Sequence, residues 1–206
     1  MRVPPLRNLF FAVVVVSGLA SCAELPNDVG VRRYRAAVQA WRPSHFPMLA
    51  SWHDDPTIRG EWKIVINLTT QQAFFYRGKV LVGTSSISSG RLDFETPPGK
   101  YRVIQKDEHH ISSQYGIYVA RSGAVLVHDA DTKKTPRPTG ARFVGASMPY
   151  FMRFTGGYGM HAGFVPRYRA SHGCIRMPAM MAKHFFDAAE IGTRVEVIEP
   201  STGVQR

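Results

Sequence analysis

From Trp62 onward, apolar and polar residues alternate along the chain. In Lys63-Ile64-Val65-Ile66-Asn67-Leu68, Ile64, Ile66 and Leu68 fall on one face, the period-two pattern of a half-buried strand. Gln72–Tyr76 is a second such run, Arg77-Gly78-Lys79 reads as a turn, and Val80–Ser86 returns as a third strand, completing a meander. Gly99–Gln105, Gly116–Val119 and Ala124–His128 read as further short strands. Turn residues separate these runs at short intervals, which predicts a mainly β chain built as an antiparallel sandwich or barrel.

One segment has a different period. In residues 178–190, Met181, Phe185 and Ala188 or Ala189 recur at helical spacing; Pro178 suits a first helical turn and Gly192 a C-terminal stop. Arg194–Ile198 then closes the domain as a strand with Val195 and Val197 on one face. Residues 129–147, with Lys133-Lys134 and Pro136-Arg137-Pro138, read as a long lid-like loop. Residues 22–60 are polar and interrupted by Pro26, Pro43, Pro47 and Pro56. They read as a tether with a short helix near Val31–Trp41, leaving 61–199 as the folded domain and 200–206 as a tail.

The first 21 residues read as a targeting segment and not as fold. Arg2 and Arg7 precede an apolar run from Leu9 to Ala20, too short for a membrane-spanning helix, which needs about 20 residues. Leu19-Ala20-Ser21-Cys22 resembles a bacterial lipoprotein signal, with Cys22 as the lipidated residue. That places the mature chain in the cell envelope, on the periplasmic side, anchored to a membrane. Ordinary secretion with an incidental Cys22 is one alternative, and a Cys22–Cys174 disulfide is another. If Cys22 carries lipid, Cys174 is a lone exported thiol, and catalysis is the usual reason for one.

Charge adds a constraint on partners. The chain has 26 Lys and Arg against 15 Asp and Glu, a net +11. It has no basic helix, zinc-finger spacing or RNA-binding aromatic motif, so nucleic acid is not the expected partner. An anionic polymer outside the cytoplasm accounts for the surplus equally well.

The candidate chemistry lies between Met160 and Met177. This stretch holds His161, Ser171, His172, Gly173, Cys174 and Arg176. A cysteine nucleophile reacts as its thiolate, which a neighbouring imidazole and a guanidinium favour. His161 comes from a separate segment and is free to approach the sulfur; His172 is restrained by the short stretch of backbone between it and Cys174. Backbone N–H groups around Gly173 offer an oxyanion hole. Arg176 offers charge and a fork for a carboxylate. Two alternatives stay open: a zinc half-site of His161, His172 and Cys174, without the usual second ligand pair, and a structural cysteine in a Gly-rich turn.

Ser171-His172-Gly173-Cys174-Ile175-Arg176 resembles the signature of the L,D-transpeptidase catalytic domain, a peptidoglycan cross-linking family. The resemblance extends to Ile64–Tyr76 with Gly78, to Ser88–Gly90, to Thr96-Pro97-Pro98-Gly99, to Met148-Pro149-Tyr150 and to Ile191-Gly192-Thr193. It implies a sandwich or barrel with mixed sheets, one C-terminal helix and a lid. It further implies Cys174 as nucleophile and His161 as proton donor and acceptor, with the Ala162 carbonyl as the third member. His172 and Gly173 would shape the oxyanion hole, and Arg176 would organise the site. Ser171 and Ala162 would border the substrate; Phe151, Phe154 and Tyr158, just ahead of His161, divide between the core and the wall of the cleft, with Tyr158 and Phe154 as the candidates for substrate contact. The implied partners are peptidoglycan stem peptides, with a second stem or an envelope protein as amine acceptor. No cofactor or metal is implied, and carbapenems are implied to acylate the thiol. This chain has His161-Ala162-Gly163 where the family often has His-Gly, a change that keeps the carbonyl. His109, His110 and His128 read as loop or surface histidines, and Asp129 with Asp131 lacks the Gly and distal Glu of a calcium loop.

Overall fold

The computed structural model describes residues 50–166 and 168–200. The signal segment, Cys22 and the Val31–Trp41 helix lie outside them. In chain order the elements are β1 (Ala50–Trp52), β2 (Trp62–Asn67), β3 (Gln72–Arg77), β4 (Val80–Ser86), β5 (Gly99–Arg102), β6 (Gln105–Val119), β7 (Val125–Asp131), β8 (Arg142–Thr155), β9 (Tyr158–Ala162), β10 (Ile175–Met177), α1 (Ala179–Ala188) and β11 (Arg194–Ile198).

The strands form two sheets, one of six strands in the order β1-β4-β3-β2-β11-β5 and one of five in the order β10-β9-β8-β6-β7. Both are mixed: β11 runs parallel to β2 and β10 parallel to β9, with the remaining pairs antiparallel. The core fills the space between the sheets. Ile64, Ile66 and Leu68 enter from one side with Phe75, Val82, Val195 and Val197; Met152, Phe154, Met160, Ile175 and Met177 enter from the other. The helix buries Met181, Ala182 and Phe185 against them. Phe75 and Phe185 meet with ring centroids 4.8 Å apart, within the range where aromatic pairs add to area burial.

Four expectations are corrected. Residues 50–52, expected within the tether, form β1 and pair with Gly83–Ser85 of β4. The expected loop 129–147 contains the end of β7 and the first residues of β8, so the loop proper is 132–141. The segment 105–115, which shows no alternation in sequence, belongs to the 15-residue β6. Its period is hidden by an irregularity between Ile111 and Gly116, where Ser112 Oγ accepts from the N–H of Tyr115 at 2.9 Å. Such bulges re-aim side chains, and here the side chain is that of Tyr115. Pro178 caps α1 from outside, and Ala189 is already extended, so Gly192 lies in the turn beyond the helix.

Candidate active site

His161 sits on β9 and Arg176 on β10. The two are register partners in the parallel pair, as are Met160 and Ile175. Cys174 immediately precedes β10 and so lies at the level of Gly159, two residues before His161. The parallel ladder thus puts His161 and Arg176 side by side, and the Cys174 sulfur takes a backbone hydrogen bond from Gly159 on β9. Position 159 calls for glycine because a Cβ there would come within 2.4 Å of the Phe151 ring.

His161 is buried, and its Nδ1 lies 2.8 Å from the Ala162 carbonyl. A carbonyl only accepts, so Nδ1 carries the proton and Nε2 presents its lone pair. Burial pushes the His161 pKa down from 6.5 to about 4; the Ala162 hydrogen bond opposes this, and the Arg176 and His110 charges add to it. His161 is therefore a neutral imidazole at pH 7.

Cys174 is the free cysteine among the described residues, and its Sγ lies 3.6 Å from the Gly157 carbonyl. Burial pushes its thiol above the ordinary value; the Gly159 backbone N–H and the charges of Arg153 and Arg176 pull the other way. The Arg176 charge thus favours the thiolate, as the sequence suggests, and burial outweighs it. The same burial that removes water from the sulfur penalises its charged form. The resting pair is a thiol and a neutral imidazole.

The turn carrying Cys174 is braced from both sides. Ser171 Oγ donates to the Cys174 carbonyl at 2.5 Å and accepts from Gly173 N–H at 3.0 Å. Ser171, expected to border substrate, is instead buried with its hydroxyl engaged on the turn itself. Gly173 has φ +107°, and a Cβ there would lie 2.6 Å from the Tyr158 ring. Only glycine suits that backbone, and Tyr158 packs directly on it. Phe154, also expected at the cleft, is fully buried in the main core, 5.4 Å centroid to centroid from Tyr101. Ala162 is buried too and contributes its carbonyl.

Sequence reasoning missed the cradle beneath this turn. Thr96 Oγ1 donates to the Gly173 carbonyl at 2.6 Å and accepts from Gly90 N–H at 3.1 Å. Ser88 exchanges backbone hydrogen bonds with Arg176, and Ser89 accepts from the N–H of Ala170 and Ser171. A Cβ at position 90 would lie 1.9 Å from the Phe94 carbonyl. The Ser-x-Gly and Thr-Pro-x-Gly elements signalled the segment, but not that its function is to hold the Cys174 turn.

His172 is engaged by neighbouring segments of the chain. Its ring stacks on Tyr115 at 4.5 Å and meets the edge of Phe94 at 4.8 Å. Its Nε2 faces Arg91 at 2.8 Å and Asp129 at 3.2 Å. The Arg176 stem packs at 3.2–3.4 Å on the site of a Cβ at Gly163. His110, expected in a loop or at the surface, is partly buried on β6, stacked on Phe151 at 4.2 Å and paired with Asp107. Among the described residues, no three His, Cys, Asp or Glu side chains are grouped as a metal site.

The site thus lies on a two-sheet sandwich in which β9 carries His161 and a braced Ser-His-Gly-Cys turn leads into β10. The family model of the YkuD-type L,D-transpeptidase catalytic domain matches residues 61–197, and the chain belongs to that family. An L,D-transpeptidase from Mycobacterium smegmatis is similar, at 18% identity and a TM-score of 0.53, over 68% of this chain and 59% of that one. A cysteine-to-serine mutant L,D-transpeptidase from Enterococcus faecium aligns at 25% identity and a TM-score of 0.51, over 68% of this chain and 50% of that one. An L,D-transpeptidase in complex with imipenem aligns at 20% identity and a TM-score of 0.51, over 66% and 58%. The chain thus spans between half and three-fifths of the length of these structures. No curated protein sequence matches it.

Proposed function

We propose that this chain is an L,D-transpeptidase of the bacterial cell envelope, held on the periplasmic side of a membrane by lipid on Cys22. The observation that carries the catalytic part is the tautomer of His161. With Nδ1–H committed to Ala162, Nε2 is left as an acceptor on β9, the strand against which the Cys174 turn packs. Attack on substrate then proceeds by concerted deprotonation, since the thiol rests protonated.

The Cys174 sulfur adds to the carbonyl joining the third residue of a stem tetrapeptide to its terminal D-alanine, and its proton passes to His161 Nε2. The resulting oxyanion is held by backbone N–H. Gly173 N–H is occupied by Ser171, which assigns this task to the N–H of Cys174. The tetrahedral intermediate collapses, the carbon–nitrogen bond breaks, and His161 returns the proton to the amine of the departing D-alanine. An amine from a second stem, or from an envelope protein, attacks the thioester. His161 takes the amine's proton, the carbon–sulfur bond breaks, and the sulfur regains its proton. Arg176 beside His161 disfavours a standing imidazolium, which keeps the base ready. The net positive charge suits a carboxylate-rich polymer.

The test uses purified muropeptides and a carbapenem, the drug class represented in the imipenem complex above. Mass analysis is expected to show cross-linked dimers that have lost one D-alanine, and one carbapenem adduct per chain. Cys174→Ser abolishes both. His161→Ala slows acylation by roughly 10²–10⁴-fold. Release of D-alanine without dimers would make the chain a hydrolase. An adduct that survives Cys174→Ser would remove Cys174 as nucleophile. For the anchor, Cys22→Ala is expected to leave unprocessed precursor or to move the protein out of the membrane fraction; unchanged fractionation refutes it.

A further inference from the structure

The ring of His172 is held by three chain segments at once. Tyr115 of β6 stacks on one face with planes 20° apart, and Phe94 presents to it at 81°. Arg91, from the segment that cradles the Cys174 turn, points a guanidinium nitrogen at Nε2 from 2.8 Å. The same nitrogen pairs with Asp129 Oδ2 at 3.3 Å, and Asp129 Oδ1 lies 3.2 Å from Nε2. Arg91 also stacks over Phe94 at 4.6 Å.

These contacts do not all favour the same protonation state. A guanidinium only donates, so its bond to Nε2 requires a lone pair there. A carboxylate only accepts, so an Asp129 bond to Nε2 requires a proton there. The shortest contact, Arg91 to Nε2 at 2.8 Å, cannot join two donors and selects the first: Arg91 donates to His172 and to Asp129, while the neutral ring carries its proton on Nδ1. The charges around the ring decide between the two states. Burial lowers the His172 pKa most; Asp129 raises it, and Arg91 and Arg176 lower it. The remaining neighbours are Phe94, beneath Lys134, and Tyr115, whose own phenol is under the influence of Asp131, Tyr158, Cys174 and Arg91.

We propose that Arg91, held in place by Asp129, is a positioning residue that fixes His172 as the neutral Nδ1–H tautomer and thereby fixes the turn carrying Gly173 and Cys174. Arg91 and Asp129 are each partly or largely exposed, so their ion pair adds little stability. Its contribution is geometric. Because Asp129 belongs to β7, this contact also ties the outer strand of the lid region to the nucleophile turn. The role assigned to the turn rests on the function proposed above; the state of the His172 ring does not.

The experiment is nitrogen-15 NMR of the histidine side chains in the substrate-free protein, titrated with pH. In the wild type, His172 is expected as Nδ1–H. Arg91→Met keeps the aliphatic stem over Phe94 but removes the donor. It is expected to switch the ring to Nε2–H, bonded to Asp129, and to raise its pKa by about one pH unit. Asp129→Asn is expected to keep Nδ1–H and to lower the pKa. Carbapenem acylation of Cys174 is expected to slow up to about 100-fold in Arg91→Met, as for a misplaced reacting group. A wild-type Nε2–H ring, an unchanged tautomer in Arg91→Met, or pKa shifts of the same sign in both variants would overturn the proposal. Those outcomes leave the Cys174 adduct intact, so they are distinct from failure of the transpeptidase reading.

Discussion

Burial of His161 makes acid pH a direct probe of the site. The imidazole is held neutral, with its pKa moved from 6.5 to about 4. Between those values the unfolded chain binds a proton at this position that the folded chain does not. Stability therefore falls as pH drops through the window, by about 1.4 kcal/mol for each pH step. Over the whole window the loss is about 3 kcal/mol. Above pH 6.5 neither state is protonated and the contribution is flat; below about 4 both are, and it is flat again. The His161→Asn variant keeps an amide donor for the Ala162 carbonyl and cannot titrate. Its burial adds a constant offset, whereas other groups, His172 and Asp107 among them, act in both proteins and cancel on subtraction. Urea unfolding at a series of pH values from neutral down to about 4 measures the effect. The wild type is expected to lose about 3 kcal/mol more than His161→Asn across that series. A difference between the two proteins that stays constant throughout would refute a buried, neutral His161.

Two further substitutions separate framework from site. Gly173→Ala forces a side chain onto a φ of +107° and into the Tyr158 ring; it is expected to lose carbapenem acylation, with a thermal unfolding shift equivalent to about 1–3 kcal/mol. Phe154→Ala is expected to cost about 3–5 kcal/mol in chemical unfolding, as for other large-to-small core changes. Muropeptide KM should hardly move in the surviving folded fraction; a selective rise in KM with unchanged stability would return Phe154 to the cleft.

Much of this architecture was legible in the order of residues. The alternation from Lys63 to Leu68 specified β2 and its buried face, because a strand with one face on a core must repeat every two residues. Met181 and Phe185 specified the buried stripe of α1 by the same logic at period 3.6. Ser-His-Gly-Cys marked the candidate turn through its resemblance to the L,D-transpeptidase signature. Only the tertiary structure decided the features that depend on long-range packing. The full lengths of β6 and β8 were hidden because Ser112–Tyr115 breaks the register and because β8 contains Pro149, followed by Tyr150 at φ +58°. Phe154 went to the core and Ser171 to the turn because burial depends on which strands become neighbours. The resting thiol and the low His161 pKa arise from desolvation, which exists only once the sheets have closed over them. Likewise Arg91, Asp129 and His172 are separated by tens of residues, and only the pairing of β6 with β7 and the cradle beneath Gly173 brings their charges within hydrogen-bonding distance.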